Sequence, residues 1–225
     1  MKKRMMWVKM IVVLALLVVM LGAGTTSAGG GPTPGKSHFH YAGKGASAEW
    51  SSCFYEPVPN EVCTNTYISV AEEMYREDGT RFPNKALSLY EYRYTVDEQG
   101  NWIFVSETSG VGDASLTIDK KLARASASAT VPLTICTADA EWNYTCVDGG
   151  QATVNASWIG VGDLEKSHGN YHSSSTGFTL NSHWKGTYRN ATASGQVNGV
   201  DLGTALYGSL FESKSGDIWI YHDAQ

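Results

Sequence analysis

Six histidines are the side chains of this sequence best suited to hold a metal ion. His38 and His40 form an H-x-H pattern, and on a β-strand both imidazoles would face the same side of the sheet. Asp163 could add an oxygen ligand to a second group of histidines, His168, His172 and His183. Zinc requires three or four ligands in a tetrahedral arrangement. The sequence offers two separated groups of histidines and no H-E-x-x-H motif, so it favours solvent-exposed histidines over a metal site. We therefore predict no bound metal and no cofactor.

A pair of glutamates could support the hydrolysis of a polysaccharide. Glycosidases use two carboxylates about 5–10 Å apart across a cleft, and Glu91 and Glu107 lie on neighbouring predicted strands. Charged residues on a half-exposed strand usually form its solvent face, and the sequence has no G-x-S-x-G motif. A secreted polysaccharide hydrolase is therefore the alternative prediction, second to binding without catalysis.

Aromatic side chains inside two cysteine loops are the predicted binding site. Trp142 and Tyr144 lie in the second loop, and Phe54 and Tyr55 occupy the matching part of the first. Exposed aromatic residues pack against ligands and are enriched at recognition sites, and a clipped loop presents them at a low entropy cost. The sequence thus predicts a glycan or an extracellular protein as the ligand. In the alternative interpretation, these aromatic residues fold back and cap the domain.

The four cysteines form two pairs with the same C-x9-C spacing. This spacing suits a β-hairpin whose arms are joined by a disulfide, because opposed strand positions bring their Cβ atoms within bonding distance. Four cysteines allow three connectivities. The equal spacing favours local pairing, Cys53 with Cys63 and Cys136 with Cys146.

The N-terminal region has the pattern of a secretory signal peptide. Residues 1–9 carry four basic side chains, residues 10–21 are apolar, and residues 26–28 are small enough for cleavage. An uncleaved membrane anchor is the alternative, although a full span needs about 20 apolar residues. We predict a signal peptide at 1–28, a flexible leader rich in glycine and proline at 29–37, and a single all-β domain at 38–225.

Removal of the signal peptide would make the protein more acidic. The net charge would change from −5 to −9, because residues 1–28 include four basic and no acidic residues. An acidic surface repels nucleic acid and anionic lipid. We therefore expect a secreted, extracellular protein with no nucleic-acid partner and no stable membrane insertion after cleavage.

The spacing of apolar residues predicts β-strands almost throughout. Residues 88–96 (SLYEYRYTV) place three tyrosines on one face, residues 97–101 supply a turn, and residues 102–107 return as a partner strand. Further turns are expected at 148–150, 198–199 and 215–217, and a helix of two turns at 70–77 is a weaker alternative. These patterns predict an all-β fold, an antiparallel sandwich or a barrel-like domain built of hairpins.

Alternate alanines mark where this fold should pack most closely. In residues 123–129 every odd position is alanine, which leaves one strand face smooth. We expect tryptophan or tyrosine rings to fill the space above it, and a groove with an alanine floor is the alternative. The tetrapeptide GVGD occurs at both 110–113 and 160–163, so an internal duplication and a coincidence of simple sequence remain open.

Residues 158–197 resemble a segment of small, secreted bacterial proteins that are rich in β-structure. The residues that carry the resemblance are Trp158, Gly160, Gly162, Leu164, His168, His172, Gly177, Phe178, Arg189, Ala191, Ala193, Ser194, Gly195 and Val197. The likeness covers about the last third of the chain. It implies export and a β fold, and it points to no chemical activity.

Overall fold

The computed structural model describes residues 35–53, 58–77, 80–139, 141–175 and 178–222. These residues form nine strands: β1 (Gly35–Ser51), β2 (Cys63–Glu77), β3 (Thr80–Val96), β4 (Trp102–Ile118), β5 (Arg124–Ala138), β6 (Tyr144–Ser175), β7 (Phe178–Val197), β8 (Val200–Asp201) and β9 (Tyr207–His222). The all-β prediction is confirmed. None of the described residues belongs to a helix long and apolar enough to cross a membrane.

A single antiparallel sheet closes on itself. The strand order is β6-β5-β4-β3-β2-β1-β9-β7-β8, and an additional pairing of β6 with β7 joins the two ends. Eight strands therefore form a ring, and β8 is a short addition beside β7. Of the two predicted architectures, the molecule adopts the barrel-like one. All seven sequential connections between ring strands link direct neighbours, as expected for a fold built of hairpins.

Alanines and two tryptophans fill the interior of the ring. Ala46 and Ala48 of β1 are fully buried, and Trp50 and Trp158 are 2% and 1% exposed. Trp158 reaches across the interior from β6, since its Nε1 donates to the carbonyl of Ser47 on β1 at 3.0 Å. Ala125, Ala127 and Ala129 of the predicted smooth face are 6–9% exposed and belong to the same core cluster as the two tryptophan rings. The predicted packing is confirmed, and the alternative of an open groove with an alanine floor is wrong.

The ring is complete over only part of its length. The connection from β4 to β5, residues 119–123, turns inward, and its Leu122 is 2% exposed within the core. At the same height along the strands, Lys44 Nζ of β1 donates a hydrogen bond to the backbone carbonyl of Ile118 at 3.3 Å and so links β1 to the end of β4. We call the part of the ring that contains β4 and β5 the closed half.

Beyond that turn, six strands continue without β4 and β5. We call this part the open half; it consists of residues 35–44, 72–77, 80–85, 165–175, 178–188 and 212–222. The two outer strands, β3 and β6, each have one unpaired side here among the described residues. The open half is therefore an ordinary twisted sheet that extends from one end of the closed half.

Three local predictions are wrong in instructive ways. Residues 70–77 lie in β2 and pair on both sides, with β1 and with β3, so no helix forms. Residues 215–217 form no turn, because β9 passes through them with a register shift against β1. Residues 148–150 likewise contain a register shift within β6. In all three, pairing with neighbouring strands overrides the local composition.

The boundaries of the predicted segments also shift. Residues 35–37, assigned to the leader, already pair with β9. Residues 1–34, which include the predicted signal peptide, lie outside the described residues. The GVGD segment at 160–163 lies on the same strand as Cys146, β6, whereas the segment at 110–113 lies on β4 and is separated from Cys63 by the β3–β4 hairpin. This explains why the two segments follow the cysteines at unequal distances. The internal duplication stays a prediction.

Candidate functional site

Two disulfides join hairpin arms at the same end of the molecule. Cys136 and Cys146 are direct register partners in the β5–β6 hairpin, with their Cα atoms 4.1 Å apart. Cys53 and Cys63 join the end of β1 to the start of β2, with their Cα atoms 5.5 Å apart. Both pairings follow the local connectivity that equal spacing favours.

An aromatic cluster lies on the outer face of the sheet beside the second disulfide. We define it by six side chains on β3, β4 and β6: Tyr90, Tyr92, Tyr94, Trp102, Phe104 and Tyr144. Tyr94 stacks on Trp102 with 4.2 Å between the ring centroids. Phe104 contacts Tyr92 at 5.5 Å and Tyr144 at 5.7 Å. The predicted tyrosine face and the predicted binding residue Tyr144 thus form one surface.

The strand register explains why these rings meet. Tyr92 pairs with Glu107, Glu107 with Cys136, and Cys136 with Cys146. Registered partners lie on the same face of a sheet, and so do residues two positions apart along a strand. The disulfide therefore fixes β6 against β5 on the face that carries the rings. Sequence reasoning missed Trp102 and Phe104 as members of the site, although their alternation opposite the tyrosines was a readable signal.

Trp142 lies on the turn that precedes Tyr144, and its side chain is 65% exposed. The turn is held by Asp139, whose Oδ1 accepts from the backbone N–H of Asn143 at 2.8 Å. Trp142 has a φ of +65°, in the left-handed region that bulky residues rarely adopt. The predicted alternative, in which this ring folds back and caps the domain, does not describe Trp142.

Two other turns use the same hydrogen bonds: the β4–β5 turn at Asp119, where a buried Leu122 holds the position of Trp142 with a φ of +51°, and the β3–β4 turn. There Asp97 accepts from the backbone N–H of Asn101 at 2.8 Å, and the residue that matches Trp142 is Gly100, with a φ of +80°. Glycine adopts such a φ without steric cost, whereas other residues lose about 1–2 kcal/mol. Trp142 therefore occupies, with 65% exposure, a position that the β3–β4 turn gives to glycine and the β4–β5 turn to a buried leucine.

Glu107 adds a polar group to the aromatic surface. The Tyr90 hydroxyl donates to Glu107 Oε2 at 3.2 Å. Burial and the adjacent Glu107 carboxylate raise the pKa of Tyr90 to about 12. Tyr90 therefore stays protonated at neutral pH and holds Glu107 against the rings, where its remaining lone pairs can accept hydrogen bonds.

The proposed pair of catalytic glutamates does not share a face. Glu107 lies with Tyr92 on the outer face, whereas Glu91, the neighbour of Tyr92 along β3, lies on the opposite one. Two carboxylates on opposite sides of a sheet cannot flank one glycosidic bond. The prediction that these two residues form a hydrolytic pair is wrong.

The structure brings together histidines that are far apart in sequence. His38 Nε2 and His40 Nδ1 each lie 3.0 Å from Asp217 Oδ1, a residue that sequence reasoning did not select. His183 is the register partner of Asp217 on the other side of β9. Asp163, by contrast, lies in the irregular stretch of β6 where the register with β7 shifts.

One compact group of potential ligand atoms is present among the described residues: Cys53, Glu61 and Cys63, all within 4.8 Å of one another. Because the two sulfurs are bonded to each other, this group cannot bind a metal ion. Phe54 and Tyr55, the other predicted binding residues, lie outside the described residues.

Comparison with protein families, with curated proteins and with solved structures finds no match to this chain. The resemblance of residues 158–197 to secreted bacterial proteins therefore stays a prediction. The geometry of the site is the basis for a functional interpretation.

Proposed function

We propose that this protein is an exported, non-catalytic domain that binds an extracellular glycan through the aromatic cluster and Trp142. The observation that carries the proposal is the backbone of Trp142. The left-handed backbone of this large residue lowers the stability of the fold, and its exposed ring contributes nothing to the core. A binding role explains why an exposed tryptophan stands where the matching turns have a glycine and a buried leucine.

The chemistry of the surface favours a carbohydrate. Aromatic rings offer flat apolar faces, and Glu107 beside them is an acceptor for hydroxyl groups. The second disulfide joins β5 to β6 two residues from Tyr144, so the arm that carries Tyr144 and leads to the Trp142 turn is ordered before binding. The two disulfides are compatible with an oxidising, extracellular location, and the pattern of residues 1–28 supports export.

An extracellular protein ligand and a polysaccharide hydrolase are the other candidates. The same rings would suit a protein interface, and hydrolysis would need carboxylates other than the pair Glu91 and Glu107. A glycan array read beside an assay for released reducing sugar separates the three. Binding without release of sugar supports the proposal, release of sugar would identify the hydrolase, and neither binding nor release would favour a protein ligand.

Two substitutions should locate the site. Trp142→Gly should weaken glycan binding about tenfold or more, because stacking of one ring contributes about 1–2 kcal/mol. It should leave the free energy of unfolding unchanged or raise it by up to about 1 kcal/mol, since glycine tolerates the positive φ. Tyr144→Ala should weaken binding similarly.

Tyr171→Ala is the matched control, because Tyr171 is 51% exposed and lies in the open half, whereas Tyr144 is 55% exposed in the cluster. Affinity should be measured by titration calorimetry and stability by urea unfolding. Equal affinities for Trp142→Gly, Tyr144→Ala and the parent protein would refute this location of the site. A large loss of stability in Trp142→Gly would contradict the argument from its backbone.

A further inference from the structure

Four histidines face the same side of the open half, on three different strands around β9. One row of register partners runs His40, Asp217, His183, Asn170, and the next runs His38, Trp219, Asn181, His172. Neighbouring strands in a sheet are about 4.8 Å apart, and successive rows on one face are about 7 Å apart. The two histidine groups that the sequence separates are thus neighbours in space.

Asp217 is the centre of this arrangement. A single oxygen, Oδ1, accepts from His38 Nε2 and from His40 Nδ1, each at 3.0 Å. Two imidazoles therefore already converge on one carboxylate oxygen.

His183 approaches Asp217 from the opposite strand. Its Nδ1 donates to Asn170 Oδ1, which leaves Nε2 as the nitrogen with a free lone pair. Metal-binding histidines ordinarily hold their other ring nitrogen in such a hydrogen bond, because it fixes the tautomer and the ring orientation. On the far side, the ring of His38 lies parallel to that of Trp219 with 5.2 Å between centroids, so any movement of His38 toward an ion has to shift this stack.

We propose that His38, His40 and Asp217 bind a divalent transition-metal ion of the zinc or copper type, with His183 Nε2 as a fourth ligand. Two imidazoles from alternate positions of one strand and a carboxylate from the next form a ligand set that zinc and copper accept. A tetrahedral zinc ion with bonds of about 2.0–2.1 Å separates its ligand atoms by roughly 3.3 Å. The two nitrogen–oxygen distances of 3.0 Å are close to that value.

Binding requires a limited rearrangement of side chains. The ligand atoms of His38, His40 and Asp217 are not all within 4.8 Å of one another, so the ion must draw the two imidazoles together by rotation about their side-chain bonds. The N–H groups that now point at Asp217 must give way to lone pairs, so in each neutral imidazole the proton moves to the other ring nitrogen as the metal binds. Half-exposed side chains make this movement feasible: His38 and His40 are 43% and 36% exposed.

The first test is titration of the purified protein with zinc, and separately with copper, by calorimetry at pH 7.5. We expect one ion per chain with a dissociation constant below about 0.1 mM. Asp217→Asn keeps the shape and one hydrogen-bond acceptor but removes the charge, and it should weaken binding about tenfold or more. His40→Gln should have a similar effect.

His168→Gln is the matched control, since His168 lies on the same face of β6 opposite Lys185, without a carboxylate in its row. It should change the affinity less than about twofold. Equal weakening in His168→Gln and Asp217→Asn, or no binding by the parent protein, overturns the proposal. If a variant fails to fold, nitrogen NMR of the histidines in the parent protein decides: zinc must shift His38 and His40, and a spectrum that zinc leaves unchanged refutes the site.

Discussion

Three glycines lie directly beneath large aromatic rings of a neighbouring strand. The register pairs are Gly45 with Phe211, Gly169 with Trp184 and Gly216 with Tyr41. A Cβ placed on Gly169 would lie 2.7 Å from Trp184 Nε1, and one on Gly216 would collide with the Tyr41 ring. These glycines thus allow a close approach of ring to backbone, and at Gly216 the sequence composition had suggested a turn.

Gly216 offers a direct test at the residue scale. Gly216→Ala should lower the free energy of unfolding by about 1–3 kcal/mol, because the added methyl group displaces the Tyr41 ring. All three of the nearest atoms to that methyl group belong to Tyr41. In a Tyr41→Ala background the same substitution should therefore cost much less. Urea unfolding of the four proteins measures the coupling, and an equal loss in both backgrounds would rule out the steric explanation.

At the scale of elements, the sequence predicts those hairpins whose turns are held by hydrogen bonds between residues close together in the chain. Asp97 and Asp139 begin turns of the same kind, and both use an asparagine four residues later to close the loop. Hydrogen bonds of the Asn143 and Asn101 side chains and backbone lower the pKa of Asp139 and Asp97 respectively. The 215–217 segment has the same small polar composition, yet it is a register shift inside β9, because its neighbours on both sides continue to pair.

Reduction of the disulfides should loosen two hairpin ends without unfolding the domain. Each bond closes a short loop, with a sequence separation of 10, so its loss should cost about 2–3 kcal/mol. The main core cluster includes none of the four cysteines. Thermal unfolding followed by circular dichroism, with and without reductant, should show a lower but still cooperative transition. Disappearance of the cooperative transition would show that the bonds hold the fold itself.

At the scale of the whole molecule, stability should differ between the two halves. The residues of the main core cluster run along the chain from Ala46 in β1 to Leu210 in β9, and all of them lie in the closed half. The open half shares the long strands β6 and β7, but none of their described side chains is fully buried there. The same strand therefore crosses from a packed environment into a solvated one.

Hydrogen exchange should reveal that division along single strands. Amides of residues 165–174 in β6 and 180–188 in β7 should exchange faster than those of residues 152–158 and 191–197 in the same strands. Local opening costs less where few apolar contacts are lost. Mass spectrometry of peptides after timed exchange measures these rates. Uniform protection along β6 would contradict the prediction. Because the proposed metal site lies in the open half, added zinc should slow exchange there and not in the closed half.

The sequence by itself determined the all-β class, the two hairpin disulfides and the alanine face, because each depends on residues close together in the chain. Only the tertiary structure decided the closed ring, the separation of Glu91 from Glu107, and the meeting of His38, His40 and Asp217. These depend on strand register between distant segments, and a shift of one residue moves a side chain to the opposite face. Local patterns predict which residues alternate, whereas long-range pairing decides which of them meet.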